Sequence, residues 1–297
     1  DFAINLGSAS STAQGIADLD WEPFSGTFPA AMNTNTDGIY NTLNAQSAGN
    51  GGPEQKYTRT SFNDDGFTIS GIDLPSLAFP EDASLSNWVW YVAIGSSGQI
   101  QPQNNFRIKR GILYIRDSSF FDSGTTSVTG LGFQPKALIV ERAVADGTST
   151  LNWDVEQSWG MREIGFATRS GGVTQQGCIG YFNDDNVSTT QVSRQSRNDS
   201  MLHYSGGANL LTLTSFDSDG FTVNYPTALK GEAVHYTAIG GTELQNAKVI
   251  IQTMNTSGAT QAITGFGFQP DCALFLYQDA PNGTIQDHGT FSFGAAT

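Results

Sequence analysis

The chain has 297 residues, enough for about two domains, and its 28 Asp and Glu against 14 Lys and Arg give a net charge of −14. Affinity for phosphates comes from clustered Lys and Arg, so nucleic acid is excluded as a general partner. Charged residues make up only 14%, against about a quarter in ordinary soluble domains, so Ser, Thr, Asn, Gln and Gly must form the polar surface; no apolar run has the length of a membrane-spanning helix, and no membrane insertion is expected.

Helical periodicity is nearly absent. Short alternating or wholly apolar runs stand at 88–94, 112–115, 137–140, 210–213, 234–239, 249–251 and 273–277, with Gly, Asn, Asp, Ser and Thr clusters between them. Short strands with frequent turn signals predict an all-β protein, and any helix should be one or two turns long. In chain order, Asp65-Gly66 between Phe62 and Phe67 predicts a hairpin, because the tight turn needs positive φ. Trp88 and Trp90 alternate and would share one face of a strand. That strand continues as Tyr91-Val92-Ala93-Ile94-Gly95, alternating large and small like a strand crossing a core. Gly130-Leu131-Gly132-Phe133-Gln134-Pro135 predicts an irregular approach that launches a buried strand at Pro135, where the missing N–H costs nothing.

Each of these words occurs twice. Gly265-Phe266-Gly267-Phe268-Gln269-Pro270 repeats the approach, Ser215-Phe216-Asp217-Ser218-Asp219-Gly220-Phe221 the hairpin, and Tyr236-Thr237-Ala238-Ile239-Gly240 the closing strand. Self-similarity on this scale sets the architecture ahead of any single residue. One complete unit runs within 120–245. The other copy is divided: its hairpin and closing strand fall within 1–105, its approach and first strands within 250–297. Phe291-Ser292-Phe293-Gly294-Ala295 resembles Ile164-Gly165-Phe166-Ala167, which follows the first strand of the complete unit. The expected fold is two antiparallel β-sandwich domains, the outer one formed by N- and C-terminal segments together, closed within the chain or by strand exchange between copies.

Chemistry-bearing constellations are sparse. No HExxH, GxSxG, P-loop or helix-opening GxGxxG occurs, so no catalytic, cofactor-binding or metal residue is assigned and no enzyme is expected. His235 takes the place of Trp90 and reads as a packed strand residue, while His203 and His288 show no partner. Trp153-Asp154-Val155-Glu156 and Trp159-Gly160-Met161-Arg162-Glu163 set acids beside aromatics, the materials of a glycoside hydrolase. The plainer expectation is an exposed loop anchored by tryptophan, with Trp153, Trp159, Asp154 and Glu156 as interface or glycan contacts. The acid clusters at 63–65, 183–186 and 217–219 lack the spaced ligand set of a calcium loop and read as turns. Neither Cys178 nor Cys272 has metal-ligand spacing. Cys272 opens an apolar run and is expected as a buried thiol.

The Gln-Pro strand, the Gly-Phe-Thr-Val hairpin strand and the closing Tyr-x-Ala-Ile-Gly strand together resemble the H-type lectin domain, and the same grammar is similar to repeat domains in structural proteins of tailed bacteriophages. The first resemblance implies a small antiparallel sandwich that oligomerises and binds sugars. The second implies a tail, fibre or head-surface component of the virion. Both rest on scaffold residues and carry over no sugar contact. The expected function is a non-enzymatic structural protein at the surface of a tailed-phage particle, whose partners are copies of itself and other virion proteins. A carbohydrate-binding adhesin that attaches to a host surface glycan is the alternative, and a glycan-cleaving enzyme the lesser one.

Overall fold

A computed structural model describes residues 2–9, 14–21, 30–35, 40–43, 53–63, 66–73, 106–114, 124–145, 155–157, 159–184, 191–203, 209–225, 233–254, 260–278, 286–287 and 291–296. The described residues are all-β, without a helix. The strands are β1 (Phe2–Ala9), β2 (Gln14–Trp21), β3 (Ala30–Asn35), β4 (Tyr40–Leu43), β5 (Pro53–Asn63), β6 (Gly66–Asp73), β7 (Arg107–Tyr114), β8 (Gly124–Val128), β9 (Pro135–Ala145), β10 (Val155–Gln157), β11 (Trp159–Ser170), β12 (Val173–Asp184), β13 (Gln191–Arg197), β14 (Leu202–His203), β15 (Asn209–Asp217), β16 (Gly220–Tyr225), β17 (Ala233–Gly240), β18 (Ala273–Gln278), β19 (Gln286–Asp287) and β20 (Phe291–Ala296).

A seven-stranded sheet, ordered β19-β13-β12-β11-β9-β17-β7, forms the centre. A four-stranded sheet, β14-β15-β16-β8, packs on one of its faces. Between them lies one apolar cluster, in which Leu138, Val140, Ala167, Val234, Tyr236 and Ala238 meet Leu202, Leu211, Leu213, Phe221 and Val223. Phe221 meets Tyr236 edge to face at 5.0 Å. Such a face-to-face pair of sheets is a β-sandwich. The other face of the central sheet is buried as well, through Arg110, Glu141, Arg162, Ile164, Ile179 and His235. β2 and β3, from the N-terminal sheet β1-β2-β3-β10, lie against β9 and β11.

The repeated words explain how this sandwich is fastened. β9 begins at Pro135. Before it, Gly130 and Gly132 hold φ of 80° and 78°, values that residues with a Cβ rarely adopt. The Asp-Gly hairpin closes on this loop: the Asp219 carboxylate accepts from Gly130 N at 2.9 Å and Gly132 N at 2.5 Å, and the Asp219 carbonyl accepts from Leu131 N at 3.1 Å. Lys109 Nζ donates to the Gly130 carbonyl at 2.5 Å. Two of the three repeated words are therefore two sides of one contact.

The duplication also persists in register. In β15–β16, Phe216 faces Phe221 and Ser215 faces Thr222, with a shift of register between Leu213 and Ser215. In β5–β6, Phe62 faces Phe67 and Ser61 faces Thr68, with the shift between Arg59 and Ser61. At the other end, β18 pairs with β20 as β9 pairs with β11. Val140 and Phe275 each stand five residues after the proline, and each faces a glycine, Gly165 or Gly294. Lys248 bonds the Gly265 carbonyl as Lys109 bonds that of Gly130.

Some expectations need correction. The run at 249–251 does not pair as a strand among the described residues; Val249 N donates instead to Thr168 Oγ1 at 3.0 Å. β18 starts at Ala273, three residues after Pro270. Cys272 is exposed and not buried, because it precedes a strand whose face is open. Residues 88–95, with their two tryptophans and closing strand, lie outside the described residues.

Candidate functional site

Two ionic clusters occupy opposite faces of the central sheet, since residues directly opposite in register share a face and neighbours alternate. On the face toward the sandwich core, Arg142 of β9 stands opposite Glu163 of β11. Their side chains are fully buried and form an ion pair at 2.5 Å. Glu163 Oε1 also accepts from the backbone N and from Nδ1 of His203, both at 2.8 Å. Arg142 Nη2 donates to the His203 carbonyl at 3.2 Å. Gly180 leaves room for this arrangement, because a Cβ there would stand 2.9 Å from the imidazole. Burial alone would raise the Glu163 carboxyl; Arg142 and the hydrogen bonds from His203 overcome it and hold Glu163 below the ordinary carboxylate value.

Cys178 Sγ lies 3.7 Å from the same His203 Nδ1 and 4.0 Å from Ser200 Oγ. Glu163, Cys178 and His203 thus place their ligand atoms within 4.8 Å of one another, a composition known from zinc sites. The surroundings favour a hydrogen-bonded network instead. Arg142 sits on the second oxygen of Glu163, and burial pushes the Cys178 thiol well up, with Glu163 adding to the effect. A cysteine metal ligand must be a thiolate, which a bound cation would have to generate against that burial. Nor is the trio a nucleophilic triad, which needs thiol and acid on different ring nitrogens; here both meet Nδ1.

On the opposite face, Glu141 faces His235 across β9 and β17. Arg110 Nη2 lies 3.1 Å from His235 Nδ1. A guanidinium only donates, so Nδ1 accepts and the imidazole carries its proton on Nε2. Burial, with Arg110 adding to it, lowers the His235 pKa to about 3. Burial raises the Glu141 carboxyl, against the pull of Arg110 and Arg162. The expectation of a packed strand residue is met at His235, which is buried within β17.

The candidate contact residues fall elsewhere. Glu156 lies in β10, which pairs with β3 so that Glu156 faces Ala31. Trp159 opens β11 opposite Asp184. Trp153 and Asp154 lie outside the described residues. The expected loop at 159–163 is instead the start of a twelve-residue strand, and Glu163 is buried. The reason is that Gly160, Met161 and Arg162 pair with β9 on one side and β12 on the other, while Trp159 pairs with Asp184 of β12. Glu156 and Glu163 are therefore a backbone-paired residue and a buried ion-pair member. Of the acid clusters, Asp217 binds Ser215 and Thr222 hydroxyls at 2.8 and 2.7 Å, and Asp219 clamps the Gly-rich loop.

Sequence reasoning missed the Arg142–Glu163–His203 cluster. Its members come from β9, β11 and β14, and no local pattern links them. A faint signal existed: Glu141-Arg142 and Arg162-Glu163 break two otherwise apolar strand patterns with charge pairs. No family model matches this chain, and comparisons with curated proteins and with solved structures give no match either.

Proposed function

We propose that this chain is a non-enzymatic structural protein at the surface of a tailed-phage virion, a fibre, spike or decoration component that acts through protein–protein assembly. One observation carries the reading: the same hairpin, with the same register shift, is built twice, but among the described residues only one copy is seen to be covered. Val223 in the complete sandwich is fully buried, while Ile69 at the matching place is 42% exposed. Open apolar faces on a repeated module are natural interface material. The clusters of titratable side chains among the described residues are buried between layers, which suits a scaffold better than a substrate cleft. The phage setting draws on the resemblance of the repeated words to virion repeat domains.

The test is electron microscopy and immunogold labelling of purified particles from the native source, together with sedimentation of the recombinant chain. Surface labelling and a self-associating chain are the expected results. A chain that stays monomeric and labels no particle overturns the proposal. A monomer that instead scores on a glycan array moves the reading to the adhesin.

A further inference from the structure

We propose that the C-terminal part of the chain is a docked arm, hinged at Gly241, that can leave the face of the central sheet while the complete sandwich stays folded. The sandwich ends with β17 at Gly240. Gly241 follows at a φ of 91°, a conformation open chiefly to glycine, and the chain leaves the ladder there. Hinges are a few residues at the end of an element that absorb a change in backbone angles.

Beyond the hinge, the arm rests on a seat made by the sandwich. Lys136, at the head of β9, donates its ammonium to the Leu244 carbonyl and, at 3.2 Å, to the Gln245 carbonyl. Val249 N donates to Thr168 Oγ1 of β11 at 3.0 Å. Ile251 lies over Gly177 of β12, where a Cβ would stand 2.8 Å from Ile251 Cδ1. Thr168 and Gly177 share the face of the sheet that looks away from the sandwich core, by the alternation along β11 and β12. Further on, Gln278 Nε2 of β18 donates to the Gly180 carbonyl at 2.8 Å, and β19 pairs Gln286 and Asp287 with Arg194 and Ser193 of β13.

The seat orders the arm without burying it. Every residue at 241–254 and at 260–278 is half-buried or exposed, whereas β9, β11, β12, β15, β16 and β17 each place side chains in the buried core. Side-chain hydrogen bonds stabilise little in net terms. A segment held by them, with little apolar area taken from water, opens at a lower free energy than the core it rests on. Undocking also withdraws β19. Among the described residues β19 is the strand that flanks β13 on its outer side, so release leaves β13 as an edge whose main-chain groups can take a strand from a neighbour.

The test ties the arm down and then loosens it. Thr168→Cys with Val249→Cys, made in a Cys272→Ser background because Cys272 is exposed, joins arm to seat by a disulfide on mild oxidation. A two-stranded hairpin is marginal alone, so undocking is read as deuterium uptake by the ladder amides of β18 and β20. The oxidised tie should slow that uptake by about tenfold or more, and reduction should restore it. Gly177→Val fills the place under Ile251, and Lys136→Met removes the clamp on the 244 and 245 carbonyls. Each should speed uptake in β18 and β20 and leave β9 and β15 as in the native chain; Lys136→Met serves where Gly177→Val disturbs β12 itself. Uptake in β18 and β20 that ignores the tie overturns the inference. So does uptake there that moves only in step with β9 and β15, which would make arm and sandwich one cooperative unit. The inference does not rest on the assembly reading: a chain that labels no particle but shows the tie's effect loses that reading and keeps the arm.

Discussion

His235 is neutral because it is buried beside a guanidinium, and this fixes the sign of a pH effect. The unfolded chain takes up a proton near the ordinary pKa of 6.5, whereas the folded chain holds off until about 3. The contribution of His235 to folding stability is thus complete above pH 6.5 and falls as the pH drops toward 3, by about 1.4 kcal/mol per unit. Urea midpoints measured from pH 7 to 5 should decline in the native chain, and His235→Gln should flatten the slope. Glu163 adds to acid lability at lower pH: its folded pKa is depressed, so its contribution is present above about 4.5 and is lost as the pH falls through the folded value. Glu141 opposes this, because its raised pKa makes its contribution largest below 4.5. Glu163→Gln leaves Arg142 buried without its counter-charge, and the expected cost is about 3–5 kcal/mol by chemical denaturation. A double variant, Arg142→Met with Glu163→Gln, should recover most of the loss if the cost comes from the stranded charge.

At the scale of elements, the hairpin β15–β16 and the loop at 130–132 act as one device. Asp219→Ala removes the acceptor of two N–H groups at once and should cost about 1–3 kcal/mol, read as a fall in Tm. Asp219→Asn should recover part of it, since a side-chain carbonyl remains. These elements were legible in the sequence because their causes are local: positive φ at Gly130 and Gly132, an Asp-Gly turn, a proline at the head of a strand. Other features had no local cause. The shift of register before Ser215 is marked by no residue type, and the same shift before Ser61 shows only once the pairing is known. The start of β11 at Trp159 was hidden behind its tryptophan and its charges, which read as a loop while their partners on β9 and β12 were unseen. Cys272 was misjudged because an apolar run signals burial only where something covers it.

At the scale of the molecule, the all-β class followed from short apolar runs and dense turn residues, and the described strands agree with it. The order of the central sheet did not follow, because β9 pairs with β11 and β17 across long stretches of chain. β10, three residues long, joins the complete unit to the N-terminal sheet through β3; that link depends on contacts between distant segments and has no signature in the word pattern.

A central sheet buried on both faces has a kinetic consequence. Amide protons in β9 and β11 lie inside a ladder with neighbours on either side, so fraying at an edge does not free them. In deuterium oxide they should be the last to exchange, at a rate set by global opening, and the β4-β5-β6 amides should exchange far earlier. If the β9 and β11 signals vanish along with those of β5 and β6, the central strands breathe locally and the double wall confers no such protection.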